Sequence, residues 1–357
     1  MKPLIVPFFI SHQGCPHLCV FCNQTKIAGG GELPTTTDLL GRIAAWRATG
    51  RGRPLEVAFY GGTFTNLPAP EMARLLLTLQ PLLARREIDA IRVSTRPDAI
   101  APEIAEYLAG MGVRTVELGV QSMDDEVLAL AGRGHTASHT VQACSTLKAA
   151  GIAVGMQLMP GLPGDNEEKT LRSLRLCLSL SPDFMRIYPA LVIAGTRLAQ
   201  LYLAGEFMPM ALDEAVRLCS IMLHAALAAR VKVIRIGLQP TTELDSAGTV
   251  LAGPYHPAFR QLVESALCYE LISKLTVALP APGEVTVRCA PARVAEVAGQ
   301  KRGNLERLQR ERGVAMTAVI ADPALSPLEI VVSSGKKEMK GNIVADLDYS
   351  TGGVFLG

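Results

Sequence analysis

From Leu4 to about residue 236, short β-rich apolar runs alternate with longer stretches whose apolar residues recur three and four positions apart. The short runs are Leu4–Ser11, Leu55–Tyr60, Ala90–Thr95, Thr115–Val120, Ala153–Met159 and Phe184–Tyr188, with Val231–Ile236 a trailing candidate. Their length and composition predict strands. The stretches between them predict helices, several with readable starts: Thr35-Thr36-Thr37-Asp38 caps a helix to about Ala48, and Asn166 opens one to Ser179. A Gly-rich loop is expected at Ile27–Pro34. Strand and helix repeating about every 30 residues imply a parallel sheet with right-handed crossovers. The periodicity fits a barrel or a doubly wound sheet equally well.

Past Pro254 the pattern changes. A helix over His256–Leu275 and a strand at Val285–Cys289 precede two short helices, which break at Gly299-Gln300-Lys301-Arg302-Gly303. Strand-like runs follow at Met316–Ile320 and Glu329–Val332, and a polar, Gly-rich tail begins near Gly335. The expected division is 1–245 for the strand–helix repeat, 254–335 for a smaller α/β module and 336–357 for a partly disordered tail.

The 357 residues are 49% hydrophobic and carry a net charge of +2, so no global field favours nucleic acid or membrane. The apolar start is too short for a signal segment, and no run approaches the about 18 residues of a membrane span. Five of the eight cysteines, Cys144, Cys177, Cys219, Cys268 and Cys289, stand singly in apolar contexts. They read as buried thiols. The other three form Cys15-x3-Cys19-x2-Cys22, directly after the first strand.

Four thiolates close a structural zinc site. Three fit three corners of a four-iron cluster and leave the fourth iron open to a ligand. With Phe21 just before the third cysteine, this spacing resembles the radical S-adenosylmethionine (SAM) superfamily, the alternative being a zinc or disulfide site. The resemblance implies a [4Fe-4S] cluster, SAM as cosubstrate, a cytoplasmic setting for an oxygen-labile centre, and an electron donor such as ferredoxin or flavodoxin. It also selects between the architectures: a partial (β/α)6 TIM-type barrel, with functional loops at the strands' C-terminal ends.

Further stretches narrow the resemblance: Gly61-Gly62-Thr63-Phe64, Ser94-Thr95-Arg96-Pro97-Asp98, Glu117-Leu118-Gly119-Val120-Gln121-Ser122, Arg133-Gly134-His135-Thr136 and Tyr188-Pro189 through Thr196. Together they are similar to the radical SAM domain of the Elongator catalytic subunit, which modifies the wobble uridine of tRNA. The likeness runs from about residue 3 to 245. Two departures limit it: the first two cysteines stand closer here, and nothing after residue 245 reads as that subunit's acetyltransferase domain.

By this resemblance Cys15, Cys19 and Cys22 ligate iron, and Phe21 shields the cluster and touches adenine. Gly61, Gly62 and Thr63 meet the SAM amine, the glycines because a Cβ would block a bare backbone's approach. Thr95 and Gln157 serve the ribose or carboxylate, and Glu117 and Gln121 point into the same cavity. Arg133 pairs with the SAM carboxylate, since a planar guanidinium suits bidentate capture. Plainer readings stand beside these: a surface charge for Arg133, a satisfied interior amide for Gln157, an ordinary Gly-rich turn for Gly61-Gly62.

The Gly299–Gly303 turn, with Lys301 and Arg302, is loosely similar to the Gly-x-x-Gly loop of KH-type nucleic-acid modules but one residue longer. A helix hairpin with a solvated basic turn reads the same residues. The function expected is reductive cleavage of SAM to a 5′-deoxyadenosyl radical acting on RNA, tRNA being favoured. The rivals are small-molecule chemistry of the coproporphyrinogen-oxidase type and a cluster-bearing RNA-binding protein without catalysis.

Overall fold

The computed structural model describes residues 3–23, 32–50, 52–279 and 283–349. Residues 27–31 of the expected Gly-rich loop lie outside them. The chain forms two compact units, one of residues 1–210 with 238–254, the other of 211–237 with 255–357.

In the first unit the elements alternate as β1 (Leu4–Phe9), α1 (Thr36–Thr49), β2 (Leu55–Tyr60), α2 (Ala69–Ala84), β3 (Ala90–Thr95), α3 (Pro102–Gly110), β4 (Val113–Gln121), α4 (Asp125–Leu130) and α5 (Ala137–Ala149). They continue as β5 (Ala153–Leu158), α6 (Glu167–Ser179), β6 (Phe184–Ile187) and α7 (Arg197–Leu203). The strands lie side by side in sequence order, β1 to β6, each pair parallel. A doubly wound sheet reverses its order at a switch point. This one does not, so the partial barrel is the architecture.

Alternation along the strands gives the sheet two unlike faces. Val57, Phe59, Ile91, Val93, Val116, Leu118, Val154, Met156, Met185 and Ile187 are buried beneath the helices. Each contributes about 1.5–3 kcal/mol by leaving water. The helices answer in kind: α2 buries Met72, Leu75, Leu76, Leu79 and Leu82, all on one face. The capping reading holds at α1, where Thr35 and Asp38 cap each other's backbone N–H. The alternate strand positions, facing the inside of the curve, carry Glu56, Tyr60, Arg92, Ser94, Glu117, Gln121, Gln157 and Arg186 instead. That polar lining is where the chemistry sits.

The second unit contains α8 (Leu212–Ala228), β7 (Lys232–Ile236), α9 (Phe259–Val277), β8 (Glu284–Cys289), α10 (Val294–Ala298), α11 (Gly303–Arg312), β9 (Ala315–Ala321), β10 (Glu329–Ser334), β11 (Lys337–Asn342) and α12 (Ile343–Asp346). Its sheet runs β9-β8-β10-β11, with β8 and β9 parallel and the remaining pairs antiparallel. Ser220 of α8 donates to the carbonyl of Val263 at 3.1 Å, and Arg260 of α9 to that of Val233 at 3.0 Å. Residues 337–342, read as the start of a polar tail, form the edge strand β11. Gly341 admits α9 closely there: a Cβ on it would stand 2.9 Å from a methyl of Leu271. The exposed Lys337, Glu338 and Lys340 keep that edge soluble. Residues 350–357 of that tail lie outside the described residues.

Candidate active site at the cysteine loop

Directly after β1 the chain enters a loop that is fixed from several sides. Ile10 N donates to the carbonyl of Tyr60 at 2.7 Å, His12 N to that of Gly61 at 3.1 Å, and Thr63 N to that of Gln13 at 2.9 Å. Gly14 has φ +71°, and a Cβ there would lie 2.3 Å from the carbonyl oxygen of Thr63. Gly62 answers it: a Cβ would lie 2.4 Å from the carbonyl oxygen of Gln13. The second glycine of the Gly61-Gly62-Thr63 turn is therefore required by the chain's own cysteine loop. A bare Gly62 thus has a packing reason of its own, beside any backbone contact it offers a ligand.

Farther along, Val20 N donates to the carbonyl of Ala131 at 3.0 Å, and Leu198 N to that of Val20 at 2.7 Å. Asn23 donates its side-chain amide to the carbonyl of Ala194 at 3.2 Å. The ring of His17 rests against Gly134, where a Cβ would stand 2.3 Å from Nε2. Phe21 packs against two apolar clusters, that of Val127, Ala131, Leu162 and Ala190 and that of Val192, Leu198 and Ala199. Its ring anchors the loop in apolar contacts. Three of the stretches singled out from sequence thus converge on one loop.

Cys15 is exposed, Cys19 and Cys22 are half-buried, and no disulfide joins any of the eight cysteines. Cys15 Sγ lies 3.3 Å from Thr63 Oγ1. The other five are buried: burial pushes the thiols of Cys268 and Cys289 up to about 11, and those of Cys144, Cys177 and Cys219 upward as well. Reactivity and metal ligation need thiolate, so the loop trio is the available set. Among the described residues no three Cys, His, Asp or Glu side chains are drawn together as a metal site.

Arg133 is buried beside the loop. Its Nη1 donates to Cys19 Sγ at 3.2 Å and its Nη2 to the carbonyl of Gly119 at 2.5 Å. Gln157 donates to Gln121 Oε1 at 3.1 Å. Gln121 has φ +68°, where the β4–β5 register shifts. Such left-handed, non-glycine residues concentrate at functional sites. Arg133 and Gln121 thus meet beside Gly119, and Gln157 joins them through Gln121.

Glu117 is not available to a ligand in the way expected. Its carboxylate accepts from Arg92 Nη1 at 3.0 Å, Arg186 Nε at 2.6 Å, Arg186 Nη2 at 3.0 Å and the Tyr60 hydroxyl at 3.3 Å. Arg92 also binds Glu56 through Nη2 at 2.8 Å, and Arg186 donates to the Tyr188 hydroxyl at 3.0 Å. Burial, then the Glu117 charge, pushes the Tyr60 phenol well up, so it stays protonated. The lumen floor is thus a closed ion-pair network. Arg92, Arg186 and Tyr60 went unread in the sequence, although charges at every second position of apolar strands were the available signal. Thr95 also departs from expectation. Its hydroxyl lies 2.6 Å from that of Thr65, on the helix-facing side. Alternation gives the lumen position to Ser94.

In the second unit, Gly299 has φ +76° and the exposed Lys301 and Arg302 have φ +52° and +63°. A Cβ on Gly299 would stand 2.8 Å from the backbone nitrogen of Asn304. Asn304 ties the turn down by donating to the carbonyls of Glu296 at 3.1 Å and Val297 at 3.2 Å. Gly303 opens α11.

Compared with known proteins, residues 9–177 match the Radical SAM superfamily and residues 182–268 the radical SAM C-terminal domain. The chain belongs to the radical SAM superfamily. It is similar to a tRNA uridine(34) acetyltransferase of Methanocaldococcus infernus, 36% identical over 260 residues, which are 60% of this chain and 48% of that protein. It is also similar to Elongator complex protein 3 of Saccharomyces cerevisiae, 27% identical over 251 residues, 57% of this chain and 45% of that one. The chain thus spans about half the length of these curated relatives. The fold is shared with the solved Methanocaldococcus infernus Elp3 lacking residues 1–46, with TM-score 0.57 and 21% identity, covering 92% of this chain and 72% of that one.

Radical SAM enzymes use a [4Fe-4S] cluster and SAM, and the residues present fit the cluster. Three sulfurs on one short loop, accessible where every other thiol is buried, make the donor set. Cys15, Cys19 and Cys22 would hold it. No helix among the described residues is long and apolar enough to cross a membrane.

Proposed function

We propose that this radical SAM enzyme acts on RNA, with tRNA the favoured class. With cluster and SAM bound, the chemistry supplied is one-electron cleavage of SAM to a 5′-deoxyadenosyl radical, which abstracts a hydrogen atom from substrate. The protein's own part is to hold the three thiols open, to line the lumen with Gln121, Gln157 and Ser94, and to keep Tyr60 and Arg186 locked on Glu117 beneath them.

One observation carries the RNA reading. Between the parallel strands β8 and β9, two helices meet at a glycine-bounded turn that presents Lys301 and Arg302 to solvent. That glycine loop between two helices resembles, with one residue more, the Gly-x-x-Gly loop with which KH-type modules clamp a nucleic-acid backbone. The positive end of the α11 dipole adds to the attraction for phosphate. Relatives named for tRNA uridine chemistry support the same substrate class.

The test is anaerobic. Reconstituted enzyme receives SAM and dithionite, and 5′-deoxyadenosine is measured with and without bulk tRNA, beside a Cys19→Ala control. Production that rises with tRNA and vanishes in the variant is expected. Production indifferent to tRNA would transfer the substrate to the small-molecule class. No production from an intact cluster would contradict catalysis.

A further inference from the structure

We propose that Arg133 serves the cluster as a positioning residue: its guanidinium is the cation that hydrogen-bonds a cluster-ligand sulfur and raises the cluster's reduction potential. This rests on the assignment of the cluster to Cys15, Cys19 and Cys22 and is independent of the substrate.

The backbone presents this side chain deliberately. Arg133 stands between Gly132 at φ +64° and Gly134 at φ +69°, and its own N–H donates to the carbonyl of Leu128 at 2.9 Å. The turn aims the side chain inward until it is 6% exposed. There the fork divides. Nη2 takes the carbonyl of Gly119 at 2.5 Å, and Nη1 takes Cys19 Sγ at 3.2 Å. Gly119 lets it in: a Cβ there would stand 3.3 Å from Nη2 and 3.2 Å from the amide nitrogen of Gln121. The glycine of the Glu117-x-Gly119 stretch is thereby explained as a passage for the arginine.

A guanidinium captures a carboxylate best with two parallel N–H groups. In Arg133 the two Nη arms already have different partners, Cys19 Sγ and the carbonyl of Gly119. What the geometry supplies is a fixed positive charge at hydrogen-bond distance from a sulfur. Hydrogen bonds to cluster sulfurs and nearby charge are what set iron–sulfur potentials. On reduction the cluster gains one electron and its core goes from 2+ to 1+. A neighbouring cation favours the more negative, reduced state.

The experiment is a dithionite-poised redox titration of the SAM-free holoenzyme, followed by EPR, with iron content and SAM affinity read on the same samples. Arg133→Gln removes the charge and is expected to lower the midpoint, so that the reduced-to-oxidised ratio at a fixed potential falls about tenfold, or about 59 mV for one electron. Arg133→Lys keeps the charge and is expected to restore most of it. SAM affinity should change less than the potential. An Arg133→Gln enzyme with full iron, an unmoved midpoint and tenfold weaker SAM binding would overturn the proposal in favour of a carboxylate contact. Should Arg133→Gln fail to retain iron, wild type labelled with ¹⁵N-arginine decides the matter. Nitrogen hyperfine coupling in the pulsed EPR of its reduced cluster is expected, and its absence overturns the proposal. Wild type without four irons would overturn the cluster assignment itself, and so is told apart from failure of the arginine's role.

Discussion

Gly62 and Gln13 touch so closely that a single added carbon on Gly62 would stand 2.4 Å from the carbonyl oxygen of Gln13. The contact joins the turn after β2 to the loop that carries all three accessible cysteines. The Gly-Gly turn thus sets the shape of the loop that carries the cysteines.

Gly62→Ala must push that loop away. The expected result is destabilisation of about 1–3 kcal/mol from overpacking and a loss of iron per chain after reconstitution. Iron and sulfide analysis checks it. Full iron content with only weakened SAM binding would mean that the glycine serves the ligand instead.

Glu117→Gln should destabilise the fold by about 3–5 kcal/mol, because buried guanidinium charge loses its counterion. Urea denaturation of the metal-free chain reads this. A variant as stable as wild type but with much weaker SAM binding would contradict the closed network of Arg92, Glu117 and Arg186.

His135 supplies a pH dependence. Burial, then the nearby Arg133 charge, pushes its imidazole from the ordinary 6.5 down to about 3. A depressed folded-state value means the unfolded chain binds the proton first, so stability is full above 6.5 and is lost as pH falls towards 3. The slope attributable to one proton is about 1.4 kcal/mol per pH unit. Stability measured between pH 6.5 and 4 should fall less steeply in His135→Leu than in wild type. Equal slopes would show that the residue already charges in the folded state.

Replacing Lys301 and Arg302 by alanine should weaken tRNA binding with little effect on folding, since both side chains are exposed. For single-stranded contacts the logarithmic salt slope should shrink by about 0.7 for each phosphate lost. Filter binding over a salt series tests this. An unchanged slope would leave the turn as a solvated hairpin.

The strands and the cysteine loop were legible in the sequence because each is written locally, by alternation and by spacing. What stayed hidden depended on partners distant along the chain. Thr95 and Ser94 are adjacent, and only the sheet's curvature says which faces the lumen. Glu117 reads as a free carboxylate until β3 and β6 bring Arg92 and Arg186 to it. That Gly62 must be bare for packing shows only once the cysteine loop folds over it. In each case the residue type was correct and the partner was the missing fact.

The most direct test of the central claim is atom transfer. Perdeuterated tRNA is incubated anaerobically with reconstituted enzyme, SAM and dithionite, and the 5′-deoxyadenosine formed is weighed by mass spectrometry. One deuterium gained from tRNA, and none in the Cys19→Ala variant, is the predicted result. 5′-Deoxyadenosine formed in quantity but free of deuterium would contradict RNA as the substrate.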